Sequence, residues 1–185
     1  PSQTLLQVAP WVAVRGNHES CARGGQGWMR FLDTAPWSAE RSCDLPANDG
    51  LGDFSEPFAV PLDSHTQLIV FDSSLARLKA YQSGDPAYQV YLRQLSAAAD
   101  LAARRPHNFF LNHHPILAWA PKDADAVYPG NAALQSVMKV DQGERLFPRQ
   151  VDIALHGHVH LFEAINFASD HPATLVIGNS GSAAD

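Results

Sequence analysis

The sequence lacks a long hydrophobic run, an excess of basic residues and a cysteine-rich pattern, and each absence excludes a class of protein. No apolar run approaches the length of a transmembrane helix, so the printed residues predict no membrane span and no membrane partner. Lys and Arg number 13 against 19 Asp and Glu, which gives a formal net charge of −6. Duplex nucleic acid favours a basic face, so this balance argues against a nucleic-acid partner. It does not exclude a phosphorylated substrate, because bound metal cations dominate the field in a small site.

The composition is that of an ordinary globular domain. Of the 185 residues, 45% are hydrophobic and 17% are charged, and this length suits one domain with its own core. No internal repeat, low-complexity tract or domain boundary is visible. Pro1 is not a start residue, and no signal-peptide pattern opens the sequence. We therefore expect either a mature or truncated form or a longer protein with residues upstream of Pro1.

The two cysteines, Cys21 and Cys43, leave two interpretations open. In an intracellular protein, two cysteines are usually buried thiols. Both residues lie in loop-like sequence rich in Gly, Pro and Ser, however, where a disulfide would hold a long connection. Such a bridge would stabilise the fold by about 3 kcal/mol. A bridge would also favour a periplasmic or secreted location.

Hydrophobic patterning predicts a layered α/β domain with mixed sheets. Two helices are expected, one that starts at Asp85-Pro86 and one over residues 131–138. Strands are expected over residues 11–14, 57–62, 67–72, 107–112, 151–155, 161–167 and 174–177. Two long loops separate these elements, residues 20–52, with one helical turn near 28–32, and residues 119–130.

The densest chemical signal is a histidine cluster that follows the predicted strand 151–155. His156, His158 and His160 fall within five positions, with Gly157 among them. Alternating residues of an extended segment point to the same side, so His158 and His160 can present their imidazoles together. Neutral imidazole is the commonest metal ligand. A metal site is the favoured interpretation, and a solvated histidine-rich turn is the alternative.

Two further polar motifs follow predicted strands in the same way. The sequence Gly-Asn-His-Glu starts at Gly16, and His-His-Pro starts at His113. Each motif alone is weak, but three of them at strand ends, in this order, are much more specific. Open α/β sheets place ligand-binding loops at the carboxyl ends of their strands.

The order G-N-H-E, H-x-P and G-H-x-H resembles the calcineurin-like metallophosphoesterases, a superfamily that includes purple acid phosphatases and nucleases. The resemblance covers nearly the whole chain by order and spacing. It implies a four-layer α-β-β-α sandwich that holds two metal ions at one edge of its strands. It also implies hydrolysis of phosphate mono- or diesters, in which a metal-bridging hydroxide attacks the phosphorus. We expect small soluble phosphate esters as substrates; the sequence does not distinguish a phosphatase from a phosphodiesterase, a nucleotidase, a pyrophosphatase or a nuclease.

The resemblance assigns metal ligands residue by residue. Asn17, His113 and His158 would bind the second metal ion, and His160 would bind the first. Glu19 would hold its loop through hydrogen bonds. Imidazole and amide-oxygen ligands suit Mn, Zn or Fe better than Ca or Mg.

The same comparison suggests roles around the metals. His18 would be the proton donor or would stabilise the transition state. Arg15 and Arg23 are candidate substrate-binding residues, although an ion pair that holds the loop is the alternative for Arg15. His114 and His156 would orient the histidine loops without binding metal.

Two motifs of the family are missing from the printed chain. D-x-H and G-D, which supply the remaining ligands, should precede Gly16, yet the fifteen residues before it contain no Asp, Glu or His. Residues 1–185 are therefore expected to be the C-terminal portion of a single domain, incomplete at its N-terminus, that alone binds at most one metal ion and hydrolyses weakly or not at all. An alternative is a catalytically incompetent fragment or remnant that serves as a binding or assembly module. An unpaired strand edge and an uncovered apolar face would then favour a homo-oligomer.

Overall fold

The computed structural model describes residues 7–48, 52–123 and 126–179. The strands in this part of the chain are β1 (Phe58–Pro61), β2 (Thr66–Val70), β3 (His107–Leu111), β4 (Ala120–Asp123), β5 (Ala126–Tyr128), β6 (Val151–His156), β7 (Phe162–Ile165) and β8 (Ala173–Ile177). The α-helices are α1 (Cys21–Gly24), α2 (Gly27–Phe31), α3 (Pro86–Ala102) and α4 (Ala132–Gln142). The predicted α/β class with mixed sheets is confirmed.

A six-stranded mixed sheet in the order β1-β2-β3-β6-β8-β7 organises the domain. Strands β2, β3, β6 and β8 run parallel, and the edge strands β1 and β7 pair antiparallel with β2 and β8. The predicted hairpin between β1 and β2 is present, with Phe58 opposite Val70. Because parallel strands end at the same edge, the residues after β2, β3 and β6 come together there.

Helices α3 and α4 cover one face of this sheet. Helix α3 begins with Pro86 in its first turn, where the missing N–H costs nothing. Helix α4 is capped by Asn131, whose Oδ1 accepts a hydrogen bond of 2.9 Å from the backbone N–H of Leu134. The apolar sides of both helices pack with Ile69 and Phe110 of the sheet in one buried core. No helix among the described residues has the length and apolar character needed to span a bilayer.

The opposite face of the sheet is apolar but only half-buried. Its side chains alternate along the strands with those of the core face, as the two-residue period of a strand requires. These half-buried residues are Leu68, Phe109, Leu111, Ile153, Leu155 and Leu175. The described residues therefore leave part of a hydrophobic surface accessible.

Two predictions about secondary structure are wrong. Residues 11–14 pair with no strand in the described part of the chain, and Trp11 is 59% exposed. A buried-strand pattern becomes a strand only where a partner supplies the ladder of hydrogen bonds. Residues 119–130 were expected to form a loop, but β4 and β5 pair there as an antiparallel ladder. In the long connection over residues 20–52, the expected helical turn is present as α2, and α1 was not predicted.

Candidate metal centre

Three histidines come together at the edge where the parallel strands end. His113 and His114 follow β3, and His158 lies in the turn after β6. One ring nitrogen of each lies within 4.8 Å of those of the other two, so one metal ion can contact all three. The ring centroids of His114 and His158 are only 4.2 Å apart.

Asn17 contacts His113 from the loop that follows residues 11–14. Its Oδ1 lies 2.9 Å from Nε2 of His113, and Nδ1 of His158 lies 3.1 Å from the same nitrogen. Two donors bound at right angles to an ion at about 2.1 Å are separated by about 3 Å. Both separations therefore fit donors that share one ion, and this donor set suits a borderline metal such as Zn, Mn or Fe.

Close backbone packing brings the loops into contact. The N–H of Gly157 donates to the carbonyl of His113 over 3.1 Å and ties the two histidine loops together. A Cβ at Gly16 would lie 3.1 Å from the His113 ring and 2.8 Å from Oε2 of Glu19, so a larger residue would push the Asn17 loop away. His158 has a φ of 67°, in the left-handed region that non-glycine residues rarely adopt. Backbone strain of this kind concentrates at functional sites.

The environment keeps the imidazoles of His113 and His114 neutral. Burial, reinforced by the neighbouring His158, His18 and His160, lowers the pKa of His113 to about 4. Burial, followed by the nearby His158 and His113, lowers the pKa of His114 to about 3. Metal ions bind the neutral imidazole, so protons do not compete for either residue at pH 7.

His114 lies close enough to His113 and His158 to contact the same ion, and its predicted role as a neighbour that orients the loop stays a prediction. It belongs to the cluster, and it is also anchored, because its backbone N–H donates to Oγ of Ser73 over 3.0 Å and its Nδ1 lies 3.3 Å from the same oxygen. Nδ2 of Asn112 donates to Ser73 as well, over 3.2 Å. Ser73 was not predicted as part of the site. Its position just after a buried strand that ends at the same sheet edge was the available signal.

His18 and Arg23, which were predicted for catalysis and substrate binding, lie side by side at the surface. Nη2 of Arg23 is 3.3 Å from Nδ1 of His18. Arg23 lies on α1, which is held at its start by a disulfide between Cys21 and Cys43 with a Cα–Cα distance of 5.2 Å. The bridge therefore decides between the two interpretations of the cysteines, and it fixes the helix that presents Arg23 to His18.

Arg15 is placed to hold the loop and not to bind a substrate. Its side chain is 1% exposed and forms ion pairs with Asp53 and, at 3.0 Å, with Asp72. Its Nη2 also donates to the carbonyl of Glu19 over 3.0 Å. This is the ion-pair alternative for Arg15, and a buried guanidinium with these contacts is not accessible to a phosphate ester.

Two remaining predicted residues flank the cluster. Oε2 of Glu19 accepts from the backbone N–H of Gly16 over 3.0 Å, which is a contact that holds the loop. His160 is half-buried in the turn after β6 and lies outside the three-histidine cluster. Its charge contributes to lowering the pKa of His113, so it is near the site. Its assignment to a first metal ion stays a prediction.

The fold and the donor set define a class of protein, an α/β domain with a histidine-rich candidate metal site at the carboxyl edge of its parallel strands. The chain belongs to the calcineurin-like phosphoesterase family, whose model matches residues 3–162. The resemblance inferred from the three motifs is confirmed. Proteins of this family generally bind divalent metal ions, and the cluster of His113, His114 and His158 can hold one.

Two solved structures show a weak likeness to this chain. The first, PhoD, is 12% identical with a TM-score of 0.39 and covers 78% of this chain and 31% of its own. The second is GAP50, described as the anchor in the inner membrane complex of Plasmodium. It is 12% identical with a TM-score of 0.41 and covers 94% of this chain and 60% of its own. This chain therefore spans less than two thirds of either structure. No curated protein matches the sequence.

Proposed function

We propose that the protein carrying this chain is a metal-dependent hydrolase of phosphate mono- or diesters, with small soluble esters as substrates. The observation that supports it most directly is the convergence of Asn17, His113 and His158. Nε2 of His113 lies 2.9 Å from Oδ1 of Asn17 and 3.1 Å from Nδ1 of His158. Family membership supports phosphoester hydrolysis in general. When bound, the metal ion would act as a Lewis acid on the phosphate and would activate the attacking water.

The residues of the chain have separate roles in metal binding, proton transfer and phosphate binding. Asn17, His113 and His158 hold the ion, and the neutral state of the His113 ring keeps a lone pair available for it. His18 is exposed and directly follows Asn17 in the chain, so it can donate a proton to the departing alcohol oxygen. Arg23, next to His18, can contact a phosphoryl oxygen with its guanidinium. His160 is retained as a ligand of a first metal ion in the complete site.

Location is part of the proposal. The Cys21–Cys43 disulfide supports a periplasmic or secreted protein, because disulfides form and persist in oxidising compartments. Thiol labelling of the protein freshly isolated from its source cells tests this: a fully oxidised pair supports export, and two free thiols contradict it.

Bound metal is the first quantity to measure. After incubation with Mn²⁺ or Zn²⁺ and removal of free ions, we expect elemental analysis to find one ion or none per 185-residue chain. His158→Ala should lower that metal content. In the longest form of the protein that can be prepared, the same substitution should reduce the hydrolysis of p-nitrophenyl phosphate at least about 100-fold. His65→Ala is the matched control, since His65 is exposed in the hairpin between β1 and β2.

If the His158→Ala protein keeps its metal, His158 is not a ligand and the proposed metal site is wrong. If His158→Ala loses the metal but the unsubstituted protein hydrolyses neither a monoester nor a diester, the second candidate function is favoured.

That second candidate is an assembly module, and the half-buried apolar sheet face favours it. The edge strand β7 exposes Phe162 by 60%, whereas the other edge strand, β1, ends in Pro61, which blunts pairing. A second copy of the chain is the proposed partner, paired along β7. Sedimentation over a range of concentrations should then show a dimer that Phe162→Lys abolishes, and a monomer at every concentration would exclude it.

A further inference from the structure

A cavity of about 200 Å³ opens beside the three-histidine cluster. His114 and His158 form part of its wall, so the cavity and the candidate metal site share a boundary. The β4–β5 hairpin closes the other side with Ala120, Pro121 and Tyr128. A molecule held at the cluster would therefore extend directly into this space.

The lining of the cavity is mostly apolar, and its polar side chains include His114, His158 and Asn131. Its hydrophobic members are Leu78, Pro115, Ala120, Pro121, Tyr128 and Val159. Among the described side chains that line it, none is Lys, Arg, Asp or Glu. Away from His114 and His158, an anionic phosphate would lose its hydration without gaining a cationic partner, so this part of the cavity suits an uncharged group.

Backbone packing and hydrogen bonds hold the wall of the cavity in place. Gly130 has a φ of 92°, and a Cβ there would lie 2.1 Å from the carbonyl oxygen of Ile116, so the chain after the hairpin packs directly on the segment that follows β3. The N–H of Asn131 donates to the carbonyl of Pro115 over 2.8 Å. Gln135 Nε2 donates to Ile116 and Pro129, over 2.6 and 2.9 Å. A preformed wall reduces the ordering cost of binding.

We propose that this cavity binds the organic group of the phosphate ester, and that this group is apolar and about the size of one benzene ring. The inference rests on the proposed function, because it takes the phosphate to lie at the histidine cluster. An apolar cavity of about 150 Å³ is known to hold benzene, so about 200 Å³ accommodates a ring and its link to phosphate. A polyol group would leave hydroxyls unpaired against the apolar part of this wall, so we expect it to bind more weakly than a ring of the same size.

Calorimetric titration of the Mn²⁺-treated protein with phenylphosphonate and methylphosphonate measures this preference without any turnover. Burial of most of a phenyl ring is worth about 1.5–3 kcal/mol, so phenylphosphonate should bind at least about tenfold more tightly than methylphosphonate. Phenol, which has no phosphate, should bind in the same cavity, with or without metal. Its binding is followed by saturation-transfer NMR.

Two substitutions examine the cavity from different sides. Ala120→Phe fills it from the hairpin and should remove the phenyl preference and the binding of phenol. Leu78→Asp places a charge at its rim, where Leu78 is 60% exposed, and should weaken both. Leu62→Asp is the matched control, because Leu62 is 56% exposed in the turn after β1 and should change neither.

The outcomes separate the cavity from the chemistry of the metal. Equal binding of the two phosphonates overturns the cavity proposal and leaves the phosphoesterase proposal standing. Binding of phenol that Ala120→Phe abolishes, with no binding of either phosphonate, supports the cavity and contradicts the phosphate site. Absence of binding by phenol and both phosphonates overturns the cavity proposal, as does a phenyl preference that survives both cavity substitutions.

Discussion

Asp53 connects the parts of the chain that support the Asn17 loop. One carboxylate oxygen pairs with Arg15 and the other accepts from the backbone N–H of Cys21, while its carbonyl accepts from Nη1 of Arg15 over 2.7 Å. Arg15 and Asp53 are both 1% exposed. A buried pair of this kind is a weak source of net stability, but the loss of Asp53 leaves Arg15 with only the Asp72 carboxylate and takes the acceptor from the Cys21 N–H.

Because Arg15 keeps Asp72 as a partner, Asp53→Ala should lower the free energy of unfolding by about 3 kcal/mol, measured by urea denaturation. Glu56→Ala is a matched control, since Glu56 pairs with Arg93 at the surface, where the two side chains are 65% and 66% exposed. Solvent screens that pair, so its loss should cost less than about 1 kcal/mol. Equal losses in the two variants would show that the buried pair does not support the loop.

At the scale of elements, α1 is a short helix that depends on its surroundings. It has four residues, none of them buried, and its N-cap Ser20 makes no side-chain capping bond. A helix of one turn has little stability of its own. The disulfide at Cys21 and the bond from its backbone to Asp53 therefore supply most of what holds it, and with it the position of Arg23.

Replacement of both cysteines by serine should lower the free energy of unfolding by about 3 kcal/mol, because the 22-residue separation closes a loop in the unfolded chain. The metal content should stay unchanged, since the clustered histidines follow β3 and β6. Urea denaturation and elemental analysis of the same preparation check both parts. Loss of metal in the double variant would mean that the bridged loop shapes the metal site directly.

For the whole molecule, stability should depend on pH through its buried histidines. Burial lowers the pKa of His156 to about 3, and the pKa values of His113 and His114 lie at about 4 and about 3. In the unfolded chain each imidazole has an ordinary pKa near 6.5. Below that pH the unfolded state binds protons that the folded state excludes, so falling pH favours unfolding.

The metal-free protein should have its full stability above about pH 6.5 and should lose up to about 1.4 kcal/mol per pH unit for each of these histidines as pH falls. The loss should level off near the folded pKa values. Urea denaturation at a series of pH values measures the slope, and His156→Leu should make it shallower by one proton. His65→Gln, at an exposed position, should leave it unchanged; a pH-independent stability between pH 4 and 6.5 would contradict the prediction.

Much of this architecture was predictable from local sequence patterns. Strands β2, β3, β6 and β8 and helices α3 and α4 lie close to their predicted positions, because the hydrophobic period and the helix-capping residues are local properties. The motifs at His113 and Gly157 were predictable for the same reason, since each follows a strand, whereas the motif at Gly16 follows residues 11–14, which have no strand partner among the described residues. Parallel pairing then places Asn112, His113 and Gly157 at one edge, as the resemblance to the family implied.

Other features depend on contacts between residues far apart in sequence, which a local pattern does not contain. The pairing of Cys21 with Cys43, the enclosure of Arg15 by Asp53 and Asp72, and the entry of His114 into the cluster all belong to this group.

The family and the α/β class follow from the sequence alone, because motifs and periodicities are local properties of the chain; its metal-ligand assignments stay predictions. Only the tertiary structure decided that residues 11–14 lack a strand partner among the described residues, that residues 119–130 contain a hairpin, and that this hairpin borders a mostly apolar cavity beside His158. The reason is physical: a strand needs a partner to complete its hydrogen bonds, and a cavity is defined by the several segments that surround it.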